Sequence, residues 1–86
     1  MKKLEFDKLN LKDKAKLVLI EQGKFIASRD YYNQRLVLYD MVEFFAEVWY
    51  EPEGNKINNI ISIELDDKRI DRYIDSVNQQ KNKIIN

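Results

Sequence analysis

Side chains able to support catalysis are few in this chain, and their spacing matches no familiar catalytic arrangement. The sequence contains no histidine and no cysteine, so it offers neither an imidazole base nor a thiolate nucleophile. Paired carboxylates are able to act as acid and base, and Glu43, Glu47 and Glu51 alternate along one predicted strand face. A row of glutamates on the wet face of a strand is more typical of solubility and edge protection. We therefore predict that the protein is not an enzyme.

Acidic residues are also concentrated before the second predicted helix, where oxygen ligands could hold calcium or magnesium. Glu64, Asp66 and Asp67 lie at this strand-to-helix junction. No glycine-containing ligand loop accompanies them, and acidic residues at the start of a helix are already explained by capping and by the helix dipole. Gly23 and Gly54 are isolated and form no phosphate-binding loop. We expect no metal site and no cofactor.

An apolar cluster on an otherwise polar strand face is the first candidate for a functional surface. In the register that we predict, Phe45, Trp49 and Ile60 share this face with Glu47. Aromatic side chains rimmed by charge are typical of protein interfaces. These four residues therefore predict a contact surface for a protein partner or for a second copy of the chain, as in a homodimer. The alternative is that the N-terminal segment folds over this face and buries it.

A second candidate cluster surrounds a predicted turn. Arg29, Tyr31, Tyr32 and Arg35 could bind a ligand or stack on one another, although tyrosines in such a place more often close the end of a core. Aromatic residues near arginine and lysine are also found on the stacking platforms of proteins that bind single-stranded nucleic acid. The zero net charge argues against nucleic acid. Nucleic-acid binding therefore ranks behind a protein partner, and an enzyme with paired carboxylates ranks last.

A β-hairpin over residues 46–65 must position the first cluster. Across the turn-forming residues 52–55 we pair Tyr50 with Ile57. Side chains alternate along a strand. One face then holds the predicted core residues Phe44, Ala46, Val48, Tyr50, Ile57, Asn59, Ile61 and Ile63. The other face holds Glu43, Phe45, Glu47, Trp49, Glu51, Lys56, Asn58, Ile60, Ser62 and Glu64.

The segment 36–50 allows a second interpretation. Its acidic residues also fall on one stripe of a helix, and its apolar residues fall on the opposite side. Valine and bulky aromatic residues in the segment, the turn formers at 52–55 and the strong alternation over 57–65 favour strand. A helix over this segment stays open as the alternative.

Two helices flank the predicted strands. Asn10 is positioned to cap the first helix, with Asp13 three residues later, and Gly23 is placed to end it. Asp66 or Asp67 caps the second helix. Its apolar residues at helical spacing are Ile70, Tyr73, Ile74 and Val77. The sequence predicts an α+β fold in which an N-terminal helix, a four-stranded antiparallel meander and a C-terminal helix follow one another, with both helices on one face of the sheet.

Length and composition set the class of the protein. With 86 residues, 44% of them hydrophobic and 35% charged, the chain has the composition of one globular domain over residues 1–86. We expect the ends, residues 1–9 and 79–86, to fray. No apolar run approaches the length that spans a bilayer, the first residues do not form a secretory signal, and cysteine is absent. We therefore expect a cytoplasmic protein that does not bind membranes.

Several short stretches carry a resemblance to other proteins. They are GKFIASRDYY at 23–32, LY at 38–39, FAEVWY at 45–50 and NKI at 55–57. Over roughly residues 11–75, the chain resembles a family of small uncharacterised bacterial proteins that have a leading helix and a strand-rich middle. The resemblance implies a stand-alone bacterial domain, and it carries over no functional residue.

Overall fold

A four-stranded antiparallel sheet is the centre of the fold. The computed structural model describes residues 1–53 and 55–75, and its strands lie side by side in chain order. They are β1 Lys24–Tyr31, β2 Gln34–Asp40, β3 Phe45–Glu51 and β4 Lys56–Ile63. The α+β class and the antiparallel sheet are therefore confirmed. The alternative of a helix over residues 36–50 is wrong, because the valine and aromatic residues there pack as pleated strands.

Two short helices precede the sheet. They are α1 Lys3–Asp7 and α2 Leu11–Lys16, after which the chain continues as a π-helical stretch over Leu17–Glu21. Asn10 caps α2 as predicted, because its side-chain oxygen accepts the backbone N–H of Asp13 at 2.8 Å. A Cβ atom at Gly23 would lie 2.2 Å from the carbonyl oxygen of Val18. The chain therefore leaves this helical segment at a position that only glycine fits.

A β-bulge in β4 separates the observed register from the predicted one. The hairpin begins as predicted, with Tyr50 opposite Ile57. Asn58 is then an extra residue on β4, so Trp49 lies opposite Asn59. Side chains alternate between the two faces of a sheet, so one extra residue reverses the face of every later residue of the strand.

The reversal decides which β4 side chains lie on each face. Ile60 lies opposite Val48 and is fully buried, whereas Ile61 and Ile63 point to the face of Phe45. The prediction that Ile60 belongs to the aromatic contact cluster is therefore wrong. The predicted pairing assumed an uninterrupted strand, and the bulge falls at the pair Asn58–Asn59, a residue type that is depleted in regular strands.

Apolar residues form a core on each face of the sheet. The N-terminal face, covered by residues 1–21, holds Phe6, Val18, Met41, Phe44, Ala46, Val48 and Ile60. The C-terminal face, covered by the helical residues 69–75 (α3), holds Ala27, Leu36, Leu38, Ile63 and Tyr73, with Phe45, Trp49, Ile61 and Ile70 packed against them. The prediction that both helices pack on one face is therefore wrong. The bulge makes β4 apolar toward both sides, so each face needs a cover.

Two predictions concern the ends of the chain. Residues 1–9, which we expected to fray, include α1 and contribute the fully buried Phe6 to the core. Val77, predicted to belong to the second helix, and residues 79–86 lie outside the described residues. No helix in the described ranges is long and apolar enough to cross a membrane.

Candidate functional site

A groove on the C-terminal face brings residues of both predicted clusters together. It has a volume of about 220 Å³ and lies between the sheet and α3. The residues that line it, and that define the arginine–aromatic groove, are Arg29, Tyr31, Leu36, Glu47, Trp49, Arg69 and Arg72. Three of the four arginines in the sequence therefore line one groove.

Regular strand and helix geometry places the arginines beside the aromatic residues. Arg29 and Tyr31 are two residues apart on β1, so they lie on the same face of the sheet. Arg69 and Arg72 are three residues apart on α3, so they lie on the same side of the helix. This second pair was not predicted from the sequence. Their spacing was a visible signal, but the face of the sheet that α3 covers was not.

Glu47 is the acidic residue in the lining of the groove, and it is buried, with 2% of its surface exposed. One carboxyl oxygen accepts the indole N–H of Trp49 at 2.9 Å, and the other accepts the hydroxyl of Tyr73 at 2.7 Å. The prediction that the strand glutamates are exposed to solvent is therefore wrong for Glu47, because α3 covers this position and supplies the hydroxyl of Tyr73 as a hydrogen-bond donor. Glu43 and Glu51 are exposed.

Tyr73 ties α3 to the sheet. Burial raises the pKa of its hydroxyl far above the usual range, and the hydrogen bond to Glu47 raises the pKa further. The hydroxyl therefore stays protonated and remains a hydrogen-bond donor. The helical spacing of Tyr73 with Ile70 predicts that both residues face the core, but it does not indicate which strand residue lies opposite them.

Arg29 is held between aromatic rings. Its guanidinium carbon lies 5.4 Å from the ring centre of Tyr31 and 5.6 Å from that of Tyr73. The Nε atom is buried and makes no hydrogen bond to any residue that the structure describes. Tyr31 in turn packs edge-to-face against Trp49 and Tyr32, with ring centres 5.7 Å and 4.7 Å away. Packing, and not a carboxylate among these neighbours, therefore orients the guanidinium group.

The other two residues of the second predicted cluster do not line the groove. Tyr32 lies at the turn between β1 and β2 with a φ of 54°, and it is 89% exposed. Arg35 lies on the N-terminal face, where its Nε atom is 3.5 Å from a carboxylate oxygen of Asp30. The cluster is divided because successive residues of β1 and β2 point to opposite faces.

Asp67 fixes the position of Arg69. One carboxylate oxygen accepts the backbone N–H of Arg69 at 2.9 Å, which is the predicted helix cap, and the other accepts a guanidinium N–H at 2.9 Å. The side-chain hydrogen bond, together with the backbone one, lowers the pKa of Asp67 to about 2. Within the described ranges, no carboxylate forms an ion pair with Arg29 or Arg72.

Phe45 and Trp49 are both half-buried, and α3 covers the face on which they lie. The N-terminal segment packs on the opposite face, so the alternative that it covers Trp49 is wrong. Phe45 does not line the arginine–aromatic groove. It lines a separate apolar pocket of about 170 Å³ together with Ile26, Ala27, Leu38, Ile70, Tyr73 and Ile74.

Comparisons with known proteins give no match from which a function could be inferred. The chain matches no family model, and no curated protein and no solved structure is significantly similar to it. The resemblance to small bacterial proteins stays a prediction. Within residues 1–53 and 55–75, no acidic cluster is arranged to hold a metal ion. The groove combines positive charge, aromatic surface and a buried carboxyl group whose oxygens are occupied, which suits the binding of an anionic group.

Proposed function

We propose that this chain is a small non-enzymatic protein-interaction domain that binds an acidic segment of a partner protein in the arginine–aromatic groove. One observation carries the proposal. Arg29, Arg69 and Arg72 converge on a groove in which the acidic lining residue is buried and hydrogen-bonded. The proposal includes the cytoplasmic location and the bacterial origin that the sequence predicts.

The chemistry of the groove supports an anionic protein segment. Arginine presents a planar fork of donors that matches a carboxylate, and it is enriched in protein interfaces together with tryptophan and tyrosine. Arg29 and Arg72 are not neutralised by an ion pair with any described carboxylate. Tyr31 and Trp49 add aromatic surface beside them.

The edges of the sheet are less suited to a partner. On the outer strand β4, the backbone N–H of Ile60 donates to the side chain of Asn59 at 2.9 Å, and its carbonyl oxygen accepts from Lys14 at 3.5 Å. The other outer strand, β1, is interrupted by an irregularity at Ile26. Bulges and lysines are common devices that prevent an edge strand from pairing with another chain. The groove on the face therefore remains the better contact surface.

Nucleic acid is the second candidate, because Tyr31 packs edge-to-face against both Tyr32 and Trp49 and so gathers three aromatic rings beside arginine. The same end of the sheet carries the exposed acids Glu51 and Glu53. These acids would repel a phosphate backbone that extends beyond the groove. A short acidic segment that stays within the groove is repelled less than a polyanionic strand that runs past these acids. A second copy of the chain is the alternative protein partner.

A fluorescence titration tests the proposal. Trp49 is the single tryptophan and lies in the groove, so its emission reports binding of a glutamate-rich peptide. We expect Arg72→Ser to weaken peptide binding by about fivefold to tenfold, because it removes a charge from the groove. Arg35→Ser is the matched control, since it removes the same charge from the opposite face, and we expect less than about a twofold change.

Three results would contradict the proposal. The first is the absence of a saturable response to the peptide. The second is an equal effect of Arg72→Ser and Arg35→Ser, which would indicate unspecific attraction between charges. The third is tighter binding of a single-stranded oligonucleotide with a steep dependence on salt, which would favour nucleic acid. Sedimentation of the protein alone separately tests whether the partner is a second copy.

A further inference from the structure

Arg29 and Arg72 have no ion-pair partner among the described residues, and they indicate a more specific ligand for the groove. We infer that Arg29 and Arg72 together hold a phosphoryl group, carried on a side chain of the partner segment. This inference rests on the proposed function, because it names the chemical group that the same groove recognises.

The surroundings of Arg29 prepare it for an oxyanion. The side chain is fixed between the rings of Tyr31 and Tyr73, so little of its freedom remains to be lost on binding. Its buried Nε atom lacks an acceptor among the described residues. The Nε atom is also closed to solvent, so an oxyanion in the groove would bind the guanidinium group through its terminal nitrogens.

Two arginines match a phosphoryl group better than a carboxylate. A phosphorylated side chain carries about −1.5 to −2 charges at neutral pH and presents three acceptor oxygens. A carboxylate carries one charge and two oxygens, which one arginine fork already occupies. A second arginine therefore adds more to the binding of a phosphoryl group. Arg69 adds charge to the lining, although its own guanidinium group is engaged by Asp67.

The remaining walls of the groove can accept the carbon part of the side chain. Leu36, Tyr31 and Trp49 line it beside the arginines, and about 220 Å³ is available. Glu47 would repel an anion if its oxygens were free. Both oxygens instead accept hydrogen bonds, from Trp49 and Tyr73, and these donors offset part of its negative charge toward the groove.

Three small anions, two with an aromatic ring and one without, test the inference. Phenyl phosphate, benzoate and inorganic phosphate are titrated into the intact chain, with the emission of Trp49 as the readout. We expect phenyl phosphate to bind at least about tenfold more tightly than benzoate, because charge-assisted bonds form to both arginines. We expect Arg72→Ser to remove most of this preference and Arg35→Ser to preserve it. Arg29 is left unchanged because it is packed between rings and its replacement could disturb the fold.

A pH series gives a second readout. The second ionisation of a phosphoryl group occurs near pH 6, whereas the arginines stay charged. We therefore expect the affinity for phenyl phosphate to fall between about pH 7.5 and about pH 5 as the dianion takes up a proton. An affinity that does not change over this range would overturn the role of the dianion.

The other outcomes separate this inference from the proposed function. Equal affinities for phenyl phosphate and benzoate would overturn the phosphoryl inference, while binding of the glutamate-rich peptide would still support the protein-interaction domain. Equal affinities for inorganic phosphate and phenyl phosphate would also overturn it, because the ring would then contribute nothing. Tighter binding of a single-stranded oligonucleotide than of either phenyl phosphate or the glutamate-rich peptide would overturn both. Failure of every anionic probe and of the peptide would do the same.

Discussion

Replacing Tyr73 with phenylalanine tests how firmly α3 is held on the sheet. The substitution keeps the ring and removes the hydroxyl that donates to Glu47 at 2.7 Å. It leaves a carboxyl oxygen buried without this donor, which costs about 1–3 kcal/mol in the free energy of unfolding. We expect a loss of about 2 kcal/mol, because the acceptor belongs to an acidic group and such bonds are the stronger ones. In a domain of this size, that loss lowers Tm by roughly 8–16 °C.

Urea unfolding, followed by circular dichroism and by the emission of Trp49, measures this loss. Circular dichroism is needed because Trp49 shares the acceptor Glu47 with Tyr73. Tyr39→Phe is the control, since it removes the same hydroxyl from a half-buried tyrosine on the N-terminal face, and we expect a change below about 0.5 kcal/mol. A loss for Tyr73→Phe no larger than that for Tyr39→Phe would refute the reasoning. The m-value should stay the same, because the surface exposed on unfolding does not change.

Two further predictions concern the bulge and the helix cap. Deleting Asn58 removes the bulge but leaves Trp49 opposite Asn59, so we expect a folded protein by circular dichroism, with a loss below about 1.5 kcal/mol in urea unfolding. Deleting Ser62 from the regular part of β4 should move the buried Ile63 to the other face and cost more stability than the deletion of Asn58, and equal effects of the two deletions would contradict the assignment of the bulge. The hydrogen bonds that lower the pKa of Asp67 stabilise the fold above its unfolded pKa of about 3.8, and this contribution is lost as the pH falls through about 2. The stability difference between the protein and Asp67→Asn, measured by urea unfolding, should therefore shrink over this range, and a difference that grows would be inconsistent with the cap.

Local signals in the sequence were sufficient for α2 and for the strands of the sheet, but not for α1. The capping of α2 by Asn10 depends on an interaction between residues three apart, and the start of the hairpin depends on the turn after Glu51. The strand over residues 45–51 follows from its valine and aromatic content. These features involve neighbours along the chain, so pattern and propensity alone indicate them.

The candidate site depends on contacts that local patterns do not contain. The burial of Glu47 results from the hydroxyl of Tyr73, which is 26 residues away in the chain. A glutamate that alternates with aromatic residues on a strand gives the same sequence pattern whether its side chain is exposed to solvent or buried under a helix. The carboxyl group becomes acceptable in the interior only because two donors meet it there, Trp49 from its own strand and Tyr73 from α3. Residue types alone predict neither of these two hydrogen bonds.

One extra residue links the register to the site. With Asn58 unpaired, β4 presents Ile60 to the N-terminal face and Ile61 and Ile63 to the C-terminal face. The C-terminal face then has too much apolar surface to stay open to water, so a helix with its own apolar stripe is needed over it. The helix that covers it carries arginines next to that stripe, and its packing brings them to the edge of the groove. If Asn58 were instead paired in a regular hairpin, Ile61 and Ile63 would point away from α3, and the arginine–aromatic groove would lose the apolar contacts that hold its helical wall in place.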